Sequence, residues 1–369
     1  VTGEPEPAGV RCLLMRGGTS KGAYFLAGDL PADPAARDDL LLRIMGSPDP
    51  RQIDGLGGAH PLTSKVAVVS PSAGGDADVD YLFLQVAVDT AGVSDRQNCG
   101  NLLAGVGPFA VERGLVAPGD DGRTSVRIRM VNTGDLATAT FPTPRGRPAY
   151  SGGARISGVP GTAAPVVIEF PPGGGPLLPT GNVRDTIAGT PVTCVDNGMP
   201  TVLIPADALG VTGYETPREL EADAALRERV EEIRLAAGPL MGLGDVGATT
   251  VPKLSLLAPP AHGGAVSTRT FIPHRCHTSI GVLGAAGVAA GLRVPGGVAD
   301  GIADLPAEGD RLRVEHPTGF LDIDVRVAAH GDGPPAVTRT AVVRTARKIF
   351  DGTVFPRPAH TSPLERQDR

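Results

Sequence analysis

The sequence predicts an α+β protein of two similar domains, each a β-sheet wrapped around a central buried helix. Three observations lead there. Glycine (51) and proline (36) are numerous in the 369 residues yet scattered between short apolar runs, the pattern of many short strands joined by turns. Two segments, 98–113 (NCGNLLAGVGPFAVER) and 278–290 (TSIGVLGAAGVAA), are apolar nearly all round, and a helix apolar on every face has to be buried on every face. Each of these occurs once per half, follows strands and opens on small polar residues. At ~150 residues per domain the length allows two domains or one large one.

Strands are expected at 10–15, 65–69, 81–88, 125–131, 166–170, 192–195, 201–204, 253–257, 266–271, 312–315, 321–327 and 341–344, all short apolar runs bounded by turn residues. A surface helix is expected over 34–45. Another, 216–237, opens with Thr216 as N-cap, Pro217 at the first helical position and Glu219 completing a capping box. Its apolar face carries Leu220, Leu226, Val230 and Ile233. The clearest linker is 171–175 (PPGGG). The expected domains are therefore 1–186, carrying Lys65 and Cys99, and 187–344, with the segment from about 345 to 369 packing back on the first. The first nine and last fourteen residues read as loose ends.

Composition narrows the function. A net charge of −6 with 4% aromatics and no tryptophan lacks the basic surface and stacking platform of a nucleic-acid binder. The longest uncharged apolar run, 280–292, falls short of the ~20 residues of a membrane span, and the first nine residues hold no hydrophobic signal region. Cys12, Cys99, Cys194 and Cys276 lie far apart, against a disulfide framework or zinc ribbon. A soluble, cytoplasmic chain without a membrane partner is expected; a homodimer is left open. Lysine occurs only at 21, 65, 253 and 348, against 30 arginines. A lysine that survives such a bias is a candidate for chemistry in which the amine must lose its proton, which arginine cannot do; chance survival is the alternative.

Four constellations could carry chemistry. In Asn98-Cys99-Gly100-Asn101, Asn98 is a good N-cap, which would set Cys99 in the first turn among free amides, where a thiol ionises more readily and anions bind. The alternative is a buried structural cysteine beside a conventional cap. Lys65 follows Ser64 at the mouth of the apolar run 66–69, where desolvation favours the neutral, basic amine; an edge-strand lysine snorkelling to water reads equally well. In the run 271–279 (FIPHRCHTS), Thr278 and Ser279 are expected to cap the second buried helix and bind an anion. His274, Cys276 and His277 lack the second ligand cluster a metal site needs, so no metal is expected. The run 16–22 (RGGTSKG) lacks phosphate-loop spacing, and 55–58 (GLGG) lacks that of a dinucleotide loop. Both fit better as rims of a small-molecule cleft, with Arg16 available for a carboxylate.

These and further stretches, among them 15–26 (MRGGTSKGAYFL), 47–58 (SPDPRQIDGLGG), 62–69 (LTSKVAVV), 97–116 (QNCGNLLAGVGPFAVERGLV), 177–182 (LLPTGN), 194–200 (CVDNGMP), 273–282 (PHRCHTSIGV), 314–319 (VEHPTG) and 343–352 (VRTARKIFDG), resemble the PrpF family, in order from about residue 11 to 354. The resemblance implies a diaminopimelate-epimerase-like fold with the active site in the cleft between its domains. It also implies proton transfer on unsaturated di- and tricarboxylates without cofactor or metal. The phrases around Cys99 and at 273–282 point to members that tautomerise a keto-tricarboxylate from aromatic-acid breakdown. Sister isomerases of aconitate, 2-methylaconitate or methylitaconate, and a non-catalytic carboxylate binder, stay open. In the epimerases of this fold two cysteines face each other, one at each helix mouth. Cys99 matches the first, whereas the second mouth reads His277-Thr278-Ser279, with Cys276 one step outside. The expected base is Lys65, with Cys99 as acid or orienting group. The expected substrate-binding residues are Arg16, Thr19, Ser20, Ser64, Asn98, Gly100, Asn101, Asp196, Asn197, Arg275, His277, Thr278 and Ser279.

Overall fold

The computed structural model describes residues 8–96, 98–171, 175–328 and 333–359. Most of the expected 171–175 linker and of the two loose ends lies outside them. The chain forms two compact units. The first holds the residues up to Arg155, Gly161–Ile168 and the residues from Arg344 onward; the second holds Ile156–Pro160 and Glu169–Val343. The division at Ile168 falls earlier than the 186/187 boundary read from the sequence.

Unit 1 runs β1 (Val10–Gly17), β2 (Ser20–Leu26), α1 (Pro34–Met45), β3 (Lys65–Pro71), β4 (Val79–Val86), the two-residue β5 (Val93–Ser94), α2 (Gly100–Glu112), β6 (Arg123–Met130), β7 (Leu136–Pro142) and β8 (Pro165–Phe170). The sequence shows why α1 starts and stops where it does. Asp33 accepts a hydrogen bond from the Ala36 amide, Pro34 opens the helix, and Gly46 at φ 82° closes it. Antiparallel β1–β2 is followed by β2 parallel to β3, β3 antiparallel to β4, β4 parallel to β6 and β6 antiparallel to β7. Helix α2 lies against β1, β2, β3, β4, β6 and β7, and Leu102 through Ala110 are all buried. Its glycines permit that closeness: a Cβ on Gly105 would lie 2.4 Å from the Tyr24 hydroxyl, and one on Gly107 2.6 Å from the Phe141 ring.

Unit 2 runs β9 (Asp185–Ile187), β10 (Thr190–Asp196), β11 (Pro200–Pro205), α3 (Pro217–Ala222), α4 (Ala224–Leu240), β12 (Lys253–Ala258), β13 (Val266–Phe271), α5 (Val282–Leu292), β14 (Arg311–His316), β15 (Gly319–Ala328) and β16 (Ala336–Val354). Strand β16 gives its first part to unit 2, beside β15, and its later part to unit 1, beside β1. Within unit 2 the order repeats: antiparallel β10–β11, β11 parallel to β12, β12 antiparallel to β13, β13 parallel to β14, β14 antiparallel to β15. Helices, here α3 and α4, again connect the second strand to the third, and α5, buried from Gly284 to Leu292, connects the fourth to the next long strand. Helix α5 packs on β10, β11, β14 and β15.

In each unit the amphipathic helix covers one side of the sheet. Leu41, Ile44 and Met45 of α1 bury against Cys12, Phe25, Val66, Val68 and Leu84. Leu226, Val230 and Ile233 of α4 bury against Val192, Cys194, Val202, Ile204, Leu254 and Leu256. The architecture is the diaminopimelate-epimerase-like α+β fold the resemblance implies. Among the described residues no helix is long and apolar enough to cross a membrane.

The helix limits differ from expectation in three places. The single helix expected over 216–237 is two: the capping box of Thr216 and Glu219 starts α3 as expected, but Asp223 leaves helical geometry and caps α4 through the Leu226 amide. Helix α2 begins at Gly100 with Cys99 as its N-cap, so Asn98 is not the cap and Cys99 lies outside the first turn. Helix α5 begins at Val282 with Gly281 as N-cap, so Thr278 and Ser279 do not cap it. Four strands went unread. Strands β5 and β9 are too short to signal, β2 (SKGAYFL) opens on Lys and Gly, and β7 (LATATFP) alternates small residues where bulky ones are the usual mark.

Candidate active site

In unit 1 the first turn of α2 is set against the β1–β2 turn. Gly18, at φ 52°, lets the chain pass so close that a Cβ there would lie 2.2 Å from Asn101 Oδ1. Asn101 then donates to Thr19 Oγ1 at 3.1 Å and accepts from the Thr19 amide at 3.4 Å. Two buried tyrosines fix the same turn of helix, as buried hydroxyls must find an acceptor. Tyr24 donates to the Leu102 carbonyl at 2.6 Å, and Tyr81 to the Cys99 carbonyl at 3.3 Å. Burial, and next the nearby Cys99 thiol, push both phenols well above their ordinary range. They remain donors at any working pH.

Cys99 makes no side-chain cap on the amides that follow it. Beside it, Asn98 donates to Thr133 Oγ1 at 2.6 Å. Asn98 Oδ1 and Ser20 Oγ are buried with no hydrogen-bond partner among the described residues. Two orphaned polar atoms so close to one helix mouth demand an explanation.

Lys65, only 7% exposed, opens β3. Its Nζ donates to Gln85 Oε1 at 2.7 Å and stands 4.9 Å from the centre of the Phe83 ring. Gln85 is itself clamped, donating to the carbonyls of Ser64 (2.8 Å) and Pro61 (3.1 Å). The amine is thus buried and aimed, and its partner is a neutral amide.

Other expected residues are engaged elsewhere. Ser64 is fully buried; it donates to the Val86 carbonyl and accepts from Gln52, so it braces the strand and has no hydroxyl to offer a substrate. Gln52 also accepts from the Ala59 amide, so the glycine-rich 55–58 loop belongs to this brace. Arg16 Nη1 donates to Gly18 O, Thr345 O and Thr345 Oγ1 at 2.8–3.1 Å, holding the turn that carries Thr19. Burial, then the charge of Arg347, lower its pKa.

In unit 2, Asn197 is likewise committed to structure, donating to the Ala286 carbonyl and exchanging hydrogen bonds with Thr340. Asp196 accepts from the Gly198 amide, and burial raises its pKa. His277 accepts a hydrogen bond at Nδ1 from the Ser279 amide at 2.9 Å, the neutral tautomer with its proton on Nε2. Ser279 Oγ lies 3.2 Å from His316 Nε2, and Thr318 donates to the Thr278 carbonyl. Arg275 is exposed. Cys276 is buried, its amide donates to Glu221 Oε1 at 3.0 Å, and burial pushes its thiol up to about 11. Among the described residues no His, Cys, Asp and Glu cluster could hold a metal.

Sequence reasoning missed Tyr24, Tyr81, Gln85, His316 and Thr318. The last two lie at the VEHPTG motif, which signalled something without saying what. Tyr24 lies in the 15–26 stretch, which carried the same unspecific signal; Tyr81 and Gln85 had none beyond being polar residues in an apolar strand.

Comparison with known proteins places the chain. It matches the PrpF protein family over residues 8–357 and belongs to that family. A relative from Novosphingobium sp. (strain KA1), named (4E)-oxalomesaconate Delta-isomerase, is 57% identical over 93% of this chain and 96% of its own. One from Pseudomonas putida, named 4-oxalomesaconate tautomerase, is 56% identical over 94% and 95%. The crystal structure of a methylitaconate-delta-isomerase superposes with a TM-score of 0.84 at 34% identity, covering 95% of this chain and 96% of that one. A hydroxyproline epimerase of Agrobacterium vitis, 17% identical over 94% and 92% with a TM-score of 0.51, shares the fold.

Proposed function

We propose that this chain is a cofactor-independent isomerase that moves a proton within 4-oxalomesaconate, an unsaturated keto-tricarboxylate of aromatic-acid breakdown. The observation that carries it is Lys65: a buried amine, oriented by Gln85, at the head of the strand whose neighbour Gly22 packs on Leu102 of the α2 first turn. The identity to the two 4-oxalomesaconate enzymes supplies the substrate.

The Lys65 amine takes a proton from the carbon next to the 2-keto acid. The electron pair left behind spreads through the conjugated keto and carboxylate groups as a dienolate. Amides of Gly100 and Asn101 at the positive end of α2 stabilise that charge where it develops. Cys99 returns a proton at oxygen or at the far carbon, completing the keto–enol or allylic shift. Thr19, Asn101, Ser20 and Asn98 hold the polar groups of the substrate, Ser20 Oγ, which has no partner among the described residues, as a donor to a carboxylate. In unit 2, His277, Thr278, Ser279 and the exposed Arg275 are the carboxylate-binding residues.

The test is proton NMR of 4-oxalomesaconate in deuterated buffer with the wild type, with Lys65→Met and without protein. The wild type should convert the substrate and exchange deuterium into the acidic carbon, and Lys65→Met should do neither. Conversion at wild-type rate by Lys65→Met removes the base assignment, and no conversion by the wild type removes the substrate.

A further inference from the structure

Gln52, in the 47–58 stretch of unit 1, is polar yet only 1% exposed. Its backbone lies at φ 44°, the left-handed region that a non-glycine residue seldom enters. Its side-chain amide is fully engaged. Nε2 donates to Ser47 Oγ at 3.0 Å and to Ser64 Oγ at 2.8 Å, and Oε1 accepts from the Ala59 amide at 3.0 Å. The two serines give their own protons to the carbonyls of Ala87 and Val86, so toward residue 52 they can only accept. A carboxylate in place of this amide would face two hydroxyls with no proton left to give. Gly57 makes room for it: a Cβ there would lie 2.1 Å from Gln52 Cδ.

What the amide holds is the segment that aims Lys65. Ala59 and Ser64 are the two ends of that segment, and within it the carbonyls of Pro61 and Ser64 are those to which Gln85 donates. Gln85 in turn accepts from Lys65 Nζ. Backbone bonds from Gly58 to Thr63 and from Thr63 to His60 close the segment on itself, and Val86 pairs with Ser64 at its far end. Gln52 joins the Ala59 end to that Ser64 anchor. Apolar packing does little of this work, for residues 58–62 are exposed and a cavity of about 450 Å³ opens beside Ala59, Pro61 and Gln85. Strained backbone persists where the surroundings over-determine it, and it gathers where geometry matters to function.

We propose that Gln52 is a positioning residue of the reaction: by joining Ala59 to Ser64 it keeps the Pro61 and Ser64 carbonyls at the spacing that makes Gln85 present the Lys65 amine in one direction. This rests on the reading of Lys65 as the base. Kinetics with 4-oxalomesaconate would compare the wild type with Gln52→Met, Gln52→Gly and Gly57→Ala. Asp33→Ala, which removes the α1 cap, serves as a variant destabilised elsewhere in unit 1. A base held less well lowers kcat and leaves affinity alone, so the three loop variants should lose kcat roughly tenfold or more with KM within about threefold. Asp33→Ala should keep the wild-type kcat. Gln52→Gly adopts φ 44° without strain, so it carries the comparison if Met folds poorly. A wild-type kcat in folded Gln52→Met or Gln52→Gly, or an equal loss in Asp33→Ala at a matched urea midpoint, overturns the proposal. A second arm needs no turnover: acetic anhydride labels the free amines, and mass spectrometry reads the labelling of Lys65 relative to Lys253. With the clamp loosened, that ratio should rise roughly twofold to tenfold in Gln52→Met and Gln52→Gly. An unchanged ratio overturns the Gln52 proposal. A raised ratio in a protein whose wild type converts no 4-oxalomesaconate supports Gln52 and removes only the substrate.

Discussion

Two substitutions at Gln85 test the charge on Lys65 through its pH dependence, since both remove the same donors and only one adds a charge facing the amine. Gln85 accepts from Lys65 Nζ at 2.7 Å and donates to the carbonyls of Ser64 and Pro61. Gln85→Leu and Gln85→Glu both lose those donors, so in both the Pro61 carbonyl loses the Gln85 bond, at about 1–3 kcal/mol, while the Ser64 carbonyl keeps the Val86 amide. Only Glu adds a negative charge facing the amine. Two unit charges about 4 Å apart at an effective dielectric near 20 attract by about 4 kcal/mol, and Lys65 is only 7% exposed, so water screens little of it. Allowing half for relaxation leaves about 2 kcal/mol holding the proton on Lys65, a factor of roughly 30 in free base. At pH 7 the Gln85→Glu enzyme should therefore have a kcat/KM roughly 30-fold below that of Gln85→Leu, with similar urea midpoints. The gap should narrow as pH rises and pulls the proton off. Initial rates with 4-oxalomesaconate from pH 6 to 10 measure it. A ratio between the two variants that stays constant or widens as pH rises refutes Lys65 as the base.

Two further outcomes follow from the geometry. Gly18→Ala puts a Cβ 2.2 Å from Asn101 Oδ1 at φ 52°; it should cost about 1–2 kcal/mol in backbone strain and raise KM by pushing Asn101 off Thr19, and an unaltered melting temperature and KM would show the turn to be slack. Burial first, and the charge of Lys253 second, lower the His277 pKa, so nitrogen-detected NMR should find it titrating below about 6.5 and moving up in Lys253→Met. Because the folded value is the lower one, the stability His277 contributes is present above the unfolded pKa and lost as pH falls through the folded one; a titration at or above the ordinary value would contradict this.

How much of this was legible depended on the range of the interaction. Apolar periodicity is local, so α1 was read to the residue, and both buried helices were recognised from their glycine- and alanine-rich composition. Their starting points were not. Asn98 and Thr278 look like caps because their side chains could reach back to helical amides. In the fold, Asn98 turns instead to Thr133, thirty-five positions along the chain, and the segment 277–279 is drawn into its own hydrogen bonds with His316 and Thr318. Ser64 shows the same limit: its place beside Lys65 suggested a substrate contact, but Gln52 and Val86 claim it from outside the local sequence. Lys65 and Cys99 stood out because their residue type was out of keeping with their surroundings, a lysine in an arginine-rich chain and a thiol at a glycine-rich helix mouth.

The repeated topology is not matched by repeated residues at the starts of the two buried helices. A scaffold repeated twice offers two helix mouths, and a symmetrical enzyme would place a thiol at each. Here the N-cap of α2 is Cys99 and that of α5 is Gly281. The cysteine nearest α5, Cys276, is 4% exposed, bridges back to Phe271 and is pushed up to about 11, while burial pushes Cys12 and Cys194 up to about 12. Those three stay protonated and enclosed at neutral pH. Among the described residues a thiol therefore stands at the N-cap of a buried helix in unit 1 and not in unit 2, so a two-thiol exchange of protons has no second partner on this scaffold.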